Sequence, residues 1–147
     1  MQPTLNDSAH NSAALVGILI GMLIVFAIML IPAIFYLLTL QKALDRCSPE
    51  NRAMAPGLVW LMLIPLFNII WGFFVVINIA KSLGAEFQKR GMTEEPEPGK
   101  TLGLIMCILA CCGWIPFLGI VASLGGLVCW IMYWIKIHGF SSKLATA

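Results

Sequence analysis

Asn68, Trp71, Val75, Asn78 and Ser82 recur at three- and four-residue intervals within one long apolar stretch. That spacing puts them on a single helix face. Two carboxamides inside an apolar run need hydrogen-bond partners, because an unpaired amide in an apolar medium costs several kcal/mol. Such a face has two uses. It can line a polar path or site near the centre of a membrane, with Pro65 releasing the carbonyl of Leu61 to join it. It can equally act as glue between helices, at about 1 kcal/mol or less per hydrogen bond. Residue types and spacing leave both open.

The other candidates for chemistry are weaker. Cys107, Cys111 and Cys112 cluster, with Cys107 and Cys111 one turn apart. No His or carboxylate accompanies them in sequence, and no zinc-type spacing is present, so no metal or cofactor is expected there. His10 and His138 lack neighbours that would make either a catalytic base. No acidic residue lies inside an apolar run, which argues against a proton-coupled pump. There is no phosphate loop and no nucleophile motif. The expectation is a protein without catalytic residues, and not an enzyme. Gly17 and Gly21, and Ala122 and Gly126, are small-residue pairs at a spacing that lets helices approach closely. They point to helix packing, within the subunit or between subunits.

The composition says what positions these residues. Of 147 residues, 60% are apolar and 11% charged, against about 45–50% and 25% in soluble domains. A bilayer accommodates that apolar excess. The net charge of +2, with cations not gathered on one amphipathic face, argues against nucleic acid as a partner. The five cysteines lie mostly in apolar runs, where a thiol behaves as a small hydrophobe. No disulfide framework is expected.

An all-α integral membrane protein follows, with about four transmembrane helices at 13–40, 57–80, 101–113 and 117–138. Residues 1–12 read as a polar tail, with Ser12 as a helix cap. No Lys or Arg precedes the first apolar run, which is too long for a signal-peptide core, so it is expected to remain as a membrane helix. Residues 13–139 form a single transmembrane domain with polar loops at 41–56 and 81–100, and 140–147 read as a short polar tail. Pro32, Pro65 and Pro116 are expected kinks or breaks. Gly91 is the expected stop of the charged extension beyond Ala80. The run from Thr101 to Ile135 would be about 52 Å long as one helix, too long for a single crossing of a ~30 Å core, so it reads as a hairpin. Trp130, Tyr133 and Trp134 beside Lys136 suit a membrane boundary. Trp114 would mark the opposite one.

Loop charge pulls two ways. Four full crossings set three cations (Lys42, Arg46, Arg52) against six (Lys81, Lys89, Arg90, Lys100, Lys136, Lys143) and favour both termini inside. The first helix alone favours the reverse, since all its nearby charge follows it. If 57–80 is instead a re-entrant hairpin around Pro65, all nine cations fall on one side. That arrangement needs irregular backbone at membrane depth, tolerated only where protein buries it.

Ile64-Pro65-Leu66-Phe67-Asn68-Ile69 is echoed by Ile115-Pro116-Phe117-Leu118-Gly119-Ile120, each opening an apolar helix that ends in a lysine. This is either a degenerate repeat of the kind found in transporters or a recurrence of Ile-Pro in apolar helices. The stretch PGLVWLMLIPLFNIIWGFFVVINIAKSLG (56–84), with SPENR upstream (48–52), resembles a pattern in small, uncharacterised bacterial multi-pass membrane proteins. It covers roughly a third of the chain. The resemblance implies a multi-pass protein of a bacterial inner (cytoplasmic) membrane and supplies no catalytic residue. The expected role is a structural or accessory subunit of a membrane complex. Its expected partners are the lipid bilayer and other membrane subunits or further copies of itself. The alternative is an oligomeric channel or small-solute transporter lined by the Asn68–Asn78 face.

Overall fold

The structure, a computed structural model, describes residues 5–113, 115 and 117–146, with the side chains of 5–9 and of Pro65 left aside. Four α-helices make up most of it: α1 (Leu5–Asp45), α2 (Pro65–Lys89), α3 (Lys100–Cys112) and α4 (Gly119–Thr146). Two 3-10 segments, Pro49–Asn51 and Pro56–Leu63, lie between α1 and α2. No strand occurs among the described residues. Three helices are long and apolar enough to cross a membrane: His10–Asp45, Leu66–Lys89 and Gly119–Thr146. Lys100–Cys112 is a shorter apolar helix, about 20 Å long.

The chain divides into two compact units, Met1–Phe35 and Tyr36–Ala147. In the first, every described side chain from His10 to Met29 is exposed. Leu15, Ile18, Met22, Leu23 and Met29 are among them, and a Cβ added at Gly17 or Gly21 would meet nothing within 4 Å. The helix is unbroken through Pro32. Residues 5–12, expected as a loose tail, belong to α1, and Ser12 lies inside the helix rather than at its cap. Once a long helix is nucleated, each added residue gains a hydrogen bond at little further cost.

The second unit holds the core: Leu40, Leu44, Val59, Val75, Val76, Ile79, Leu83, Tyr133 and Ile137. The four-residue spacing of Val75, Ile79 and Leu83 makes one buried face of α2. α3 and α4 pair as an antiparallel hairpin. Gly99 abuts Ile137 and Tyr133, Gly103 abuts Tyr133, Leu109 abuts Gly125 and Gly126, and Gly113 abuts Ser123. Ala122 is buried, and the open side of Gly126 faces Leu109, so this small-residue pair packs inside the subunit. Trp114 and Pro116 lie outside the described residues. α4 runs on to Thr146 where a polar tail from 140 was expected. Phe140, Ser141 and Leu144 are buried there, so packing carries the helix past the end of its apolar run.

The region 57–80 is the largest departure from expectation. It is not one helix kinked at Pro65. Residues 56–63 are 3-10, Ile64 is extended (ψ 111°), and Pro65 opens α2. Proline disfavours the helical region for the residue before it and suits the first helical position, where its missing N–H costs nothing. The Leu61 carbonyl, expected to be freed, accepts the Ile64 N–H at 3.2 Å. The limb 49–63 then doubles back along α2. Ala53 N–H donates to Ser82 Oγ (2.9 Å) and Trp71 Nε1–H to the Leu58 carbonyl (2.9 Å). The loop after α1 therefore lies beside the C-terminal end of α2.

α2 stops at the expected place. Gly91 takes a positive φ of 66°. Its N–H bonds Gln88 O, and Met92 N–H bonds Phe87 O at 2.9 Å, a Schellman closure that satisfies the last carbonyls. Gly84 is required for a different reason, since a Cβ there would collide with the Pro96 carbonyl oxygen. Backbone cannot yield as a side chain tip does, so Gly84→Ala is expected to destabilise by about 1–3 kcal/mol. Gly139→Ala, at a helical glycine with open space, should be neutral or gain up to ~1 kcal/mol. Thermal unfolding of the two variants in one detergent checks the contrast.

Candidate functional site at the polar end of the helices

Of Asn68, Trp71, Asn78 and Ser82 on α2, the returning limb meets Trp71 and Ser82. Trp71 is tied to Leu58 O as described above. Ser82 is fully buried, takes the Ala53 N–H, and donates to the Asn78 carbonyl at 2.7 Å. Asn78 is buried and donates from Nδ2 to Phe74 O at 2.7 Å. Asn68 is different. It is exposed in the first turn of α2, and its carboxamide finds no hydrogen-bond partner among the described residues. The rings of Phe67, Trp71 and Phe74 stack beside it, with centroids 5.0 and 4.7 Å apart.

Sequence reasoning missed the residue that organises this end of the protein. Glu86 is 1% exposed, and both its oxygens are occupied. Oε2 accepts the Ser48 N–H and Asn51 Nδ2, each at 2.8 Å. Oε1 accepts Arg90 Nε at 2.8 Å and Ser48 Oγ at 3.2 Å. The available signal was a Glu four residues before an Arg on an amphipathic helix, which does not announce burial. Pro49 helps here, since it starts the 3-10 turn that brings the Ser48 N–H and the Asn51 side chain to one carboxylate.

Arginines extend the network to α4 and α1. Arg90 donates to the Leu144 carbonyl (2.8 Å) and more weakly to Arg46 O (3.4 Å). Arg46 donates to Ser141 O (2.5 Å) and Oγ (2.7 Å). Arg52 holds Cys47 O (2.9 Å) and Asp45 O (2.8 Å). These partners are carbonyls at or near helix C-termini, where a cation suits the helix dipole. At the rim Lys89 pairs with Glu50, and its ammonium holds the Glu50 carboxyl below the usual range. Burial, reinforced by the nearby Glu86 charge, pushes the Cys47 thiol up to about 11, so it is an inert packing group.

Registering the helices through these contacts brings four lysines to one level. Within the second unit, the end of α1 from Tyr36 on runs parallel to α4 through Trp134 Nε1–H to Thr39 Oγ1 (2.9 Å) and through Arg46–Ser141. α2 is parallel to α4 through Phe87–Phe140 (ring centroids 5.6 Å apart) and Arg90–Leu144. α3 begins beside Ile137. Lys42, Lys81, Lys100 and Lys136, one per helix, then fall within about one helical turn of each other, ~5 Å. Trp134 stands at the same level, while Trp60, further along the returning limb, reaches Gln41 Oε1 through Nε1 at 2.7 Å.

Cys107 is buried, and Cys111, Cys112 and Cys129 are half-buried, all as free thiols. Among the described residues no group of three or more His, Cys, Asp or Glu could hold a metal. No family model matches the chain, and neither does any curated protein or solved structure.

Removing the Glu86 carboxylate would leave buried donors and an arginine unanswered. Glu86→Ala is expected to cost about 3 kcal/mol and to expose the 47–56 loop to protease. Glu86→Gln, which keeps an acceptor oxygen, should lose roughly half as much. Detergent melts and limited proteolysis of both variants check this ordering, and equal stability of the alanine variant and the native chain would overturn it.

Proposed function

We propose that this chain is a non-enzymatic accessory subunit of a complex in a bacterial inner membrane. Asn68 is the observation that carries the reading. It lies thirteen residues before Lys81, about 20 Å along α2 from the lysine level, and its amide is exposed and without a hydrogen-bond partner among the described residues. In hydrocarbon such a group costs several kcal/mol, and a helix of another subunit would satisfy it. The exposed apolar helix 10–29, with open space at Gly17 and Gly21, offers a second surface for close packing.

On this reading 57–80 enters and leaves the membrane on one side. Ala53 is level with Ser82. The eight 3-10 residues Pro56–Leu63 span about 16 Å, residues 53–55 and the extended Ile64 add to that, and seventeen residues of α2 return about 26 Å. In the irregular limb Leu58 N–H bonds Ala55 O, Ile64 N–H bonds Leu61 O and Leu58 O accepts Trp71 Nε1–H, the kind of internal pairing that irregular backbone at membrane depth needs. All nine cations then sit on one side, which the positive-inside rule makes the cytoplasm. The resemblance of residues 56–84, with 48–52 upstream, to small bacterial membrane proteins supports the choice of membrane.

Extraction from native membranes in mild detergent, followed by native mass spectrometry, tests the role. A second, different subunit at fixed stoichiometry is expected, lost on Asn68→Leu without a fall in melting temperature. A stable monomer whose Asn68→Leu variant is merely more stable would overturn it. A closed ring of identical chains that loses an ion or solute flux on the same substitution would establish the channel instead.

A further inference from the structure

We infer that Lys42, Lys81, Lys100 and Lys136, one per helix at a common level, bind the headgroups of anionic phospholipids. The level of these lysines is where the apolar runs end, and Trp134 shares it, as aromatic side chains do at a membrane–water boundary. The four lysines come from four different helices and share one depth along them rather than one helix face. A common depth at the end of the apolar runs fits lipid headgroups, which lie at that depth along every helix.

The charge at this level is also in excess. Lys100 is paired with Glu97 at 2.6 Å and Lys136 with Glu95 at 3.4 Å. Lys42 and Lys81 have no carboxylate partner among the described residues, and Lys81 is exposed. Arg46 and Arg52 bond backbone carbonyls and a serine hydroxyl rather than a carboxylate, and against Lys42, Lys81, Arg46 and Arg52 stands only the exposed Asp45 between Lys42 and Arg46 among the described residues. Phosphodiester headgroups would supply the missing anions. Lys89, by contrast, lies eight residues beyond Lys81, about 12 Å further from the membrane, and is neutralised by Glu50.

The test reconstitutes the full chain in nanodiscs of phosphatidylcholine and phosphatidylglycerol in equal parts and counts the lipids retained by native mass spectrometry. The native chain should retain phosphatidylglycerol over phosphatidylcholine. The double substitution Lys42→Gln, Lys81→Gln should weaken phosphatidylglycerol retention about 25-fold. That is roughly fivefold per lysine, equivalent to ~1 kcal/mol each near a charged surface. Lys42→Arg with Lys81→Arg should keep it, Lys89→Gln should leave it unchanged, and the melting temperature should stay constant throughout. Equal retention of the two lipids by the native chain would overturn the inference. So would undiminished retention in the double glutamine variant, or an equal loss in Lys89→Gln.

Discussion

The buried Glu86 carboxylate is the interaction on which the second unit depends. Apolar helices in lipid gain little from meeting one another, since the surrounding chains are as apolar as their own side chains. Direction and register must come from elsewhere. Here they come from one end. Glu86 binds Ser48, Asn51 and Arg90, Arg90 reaches the last turn of α4, and Arg46 closes the circuit from α1 to Ser141. A buried charge left alone would be prohibitive. With four donors on two oxygens it instead forces the chain after α1 to stay beside the end of α2.

That constraint explains why the following segment is irregular. The chain must rise from Ala53 and return by Ser82, and Pro65 supplies the reversal by ending one helix type and starting another. Close packing completes the unit where side chains are absent. Gly84 meets the Pro96 backbone and Gly103 meets Val76 and Tyr133. Tyr36 sets its ring edge-on to Trp130 and Trp134. The hydroxyls of Tyr36 and Tyr133 are buried without a hydrogen-bond partner among the described residues. Their rings, which contribute area and edge-to-face contacts, account for the packing, and nothing in the structure explains the two oxygens.

Polar groups inside the apolar runs divide by use. Trp71, Asn78 and Ser82 are spent on holding the returning limb and their own helix. Asn68, on the same face but beyond Leu58, is exposed and has no hydrogen-bond partner among the described residues. Three of the four positions are thus bonded inside the chain, and the face is not a continuous unpaired polar stripe.

Composition and hydropathy determined the class of this protein, because apolar area that cannot be covered must be placed in lipid. Periodicity placed α2's polar face, and Gly91 marked its end through a positive φ that other residues resist. Tertiary structure decided the rest. Whether Pro65 kinks a helix or starts one depends on what precedes it, and here the tether at Glu86 pulls the preceding chain back. Glu86 read as one surface charge among several, since its burial comes from residues 35 to 38 positions away. The helical end of α4 was hidden for the same reason, as Ser141 and Leu144 are covered by arginines of other helices. Local sequence records the solvent each segment requires. Which segment lies beside which is written in long-range hydrogen bonds, and those exist only once the chain has folded.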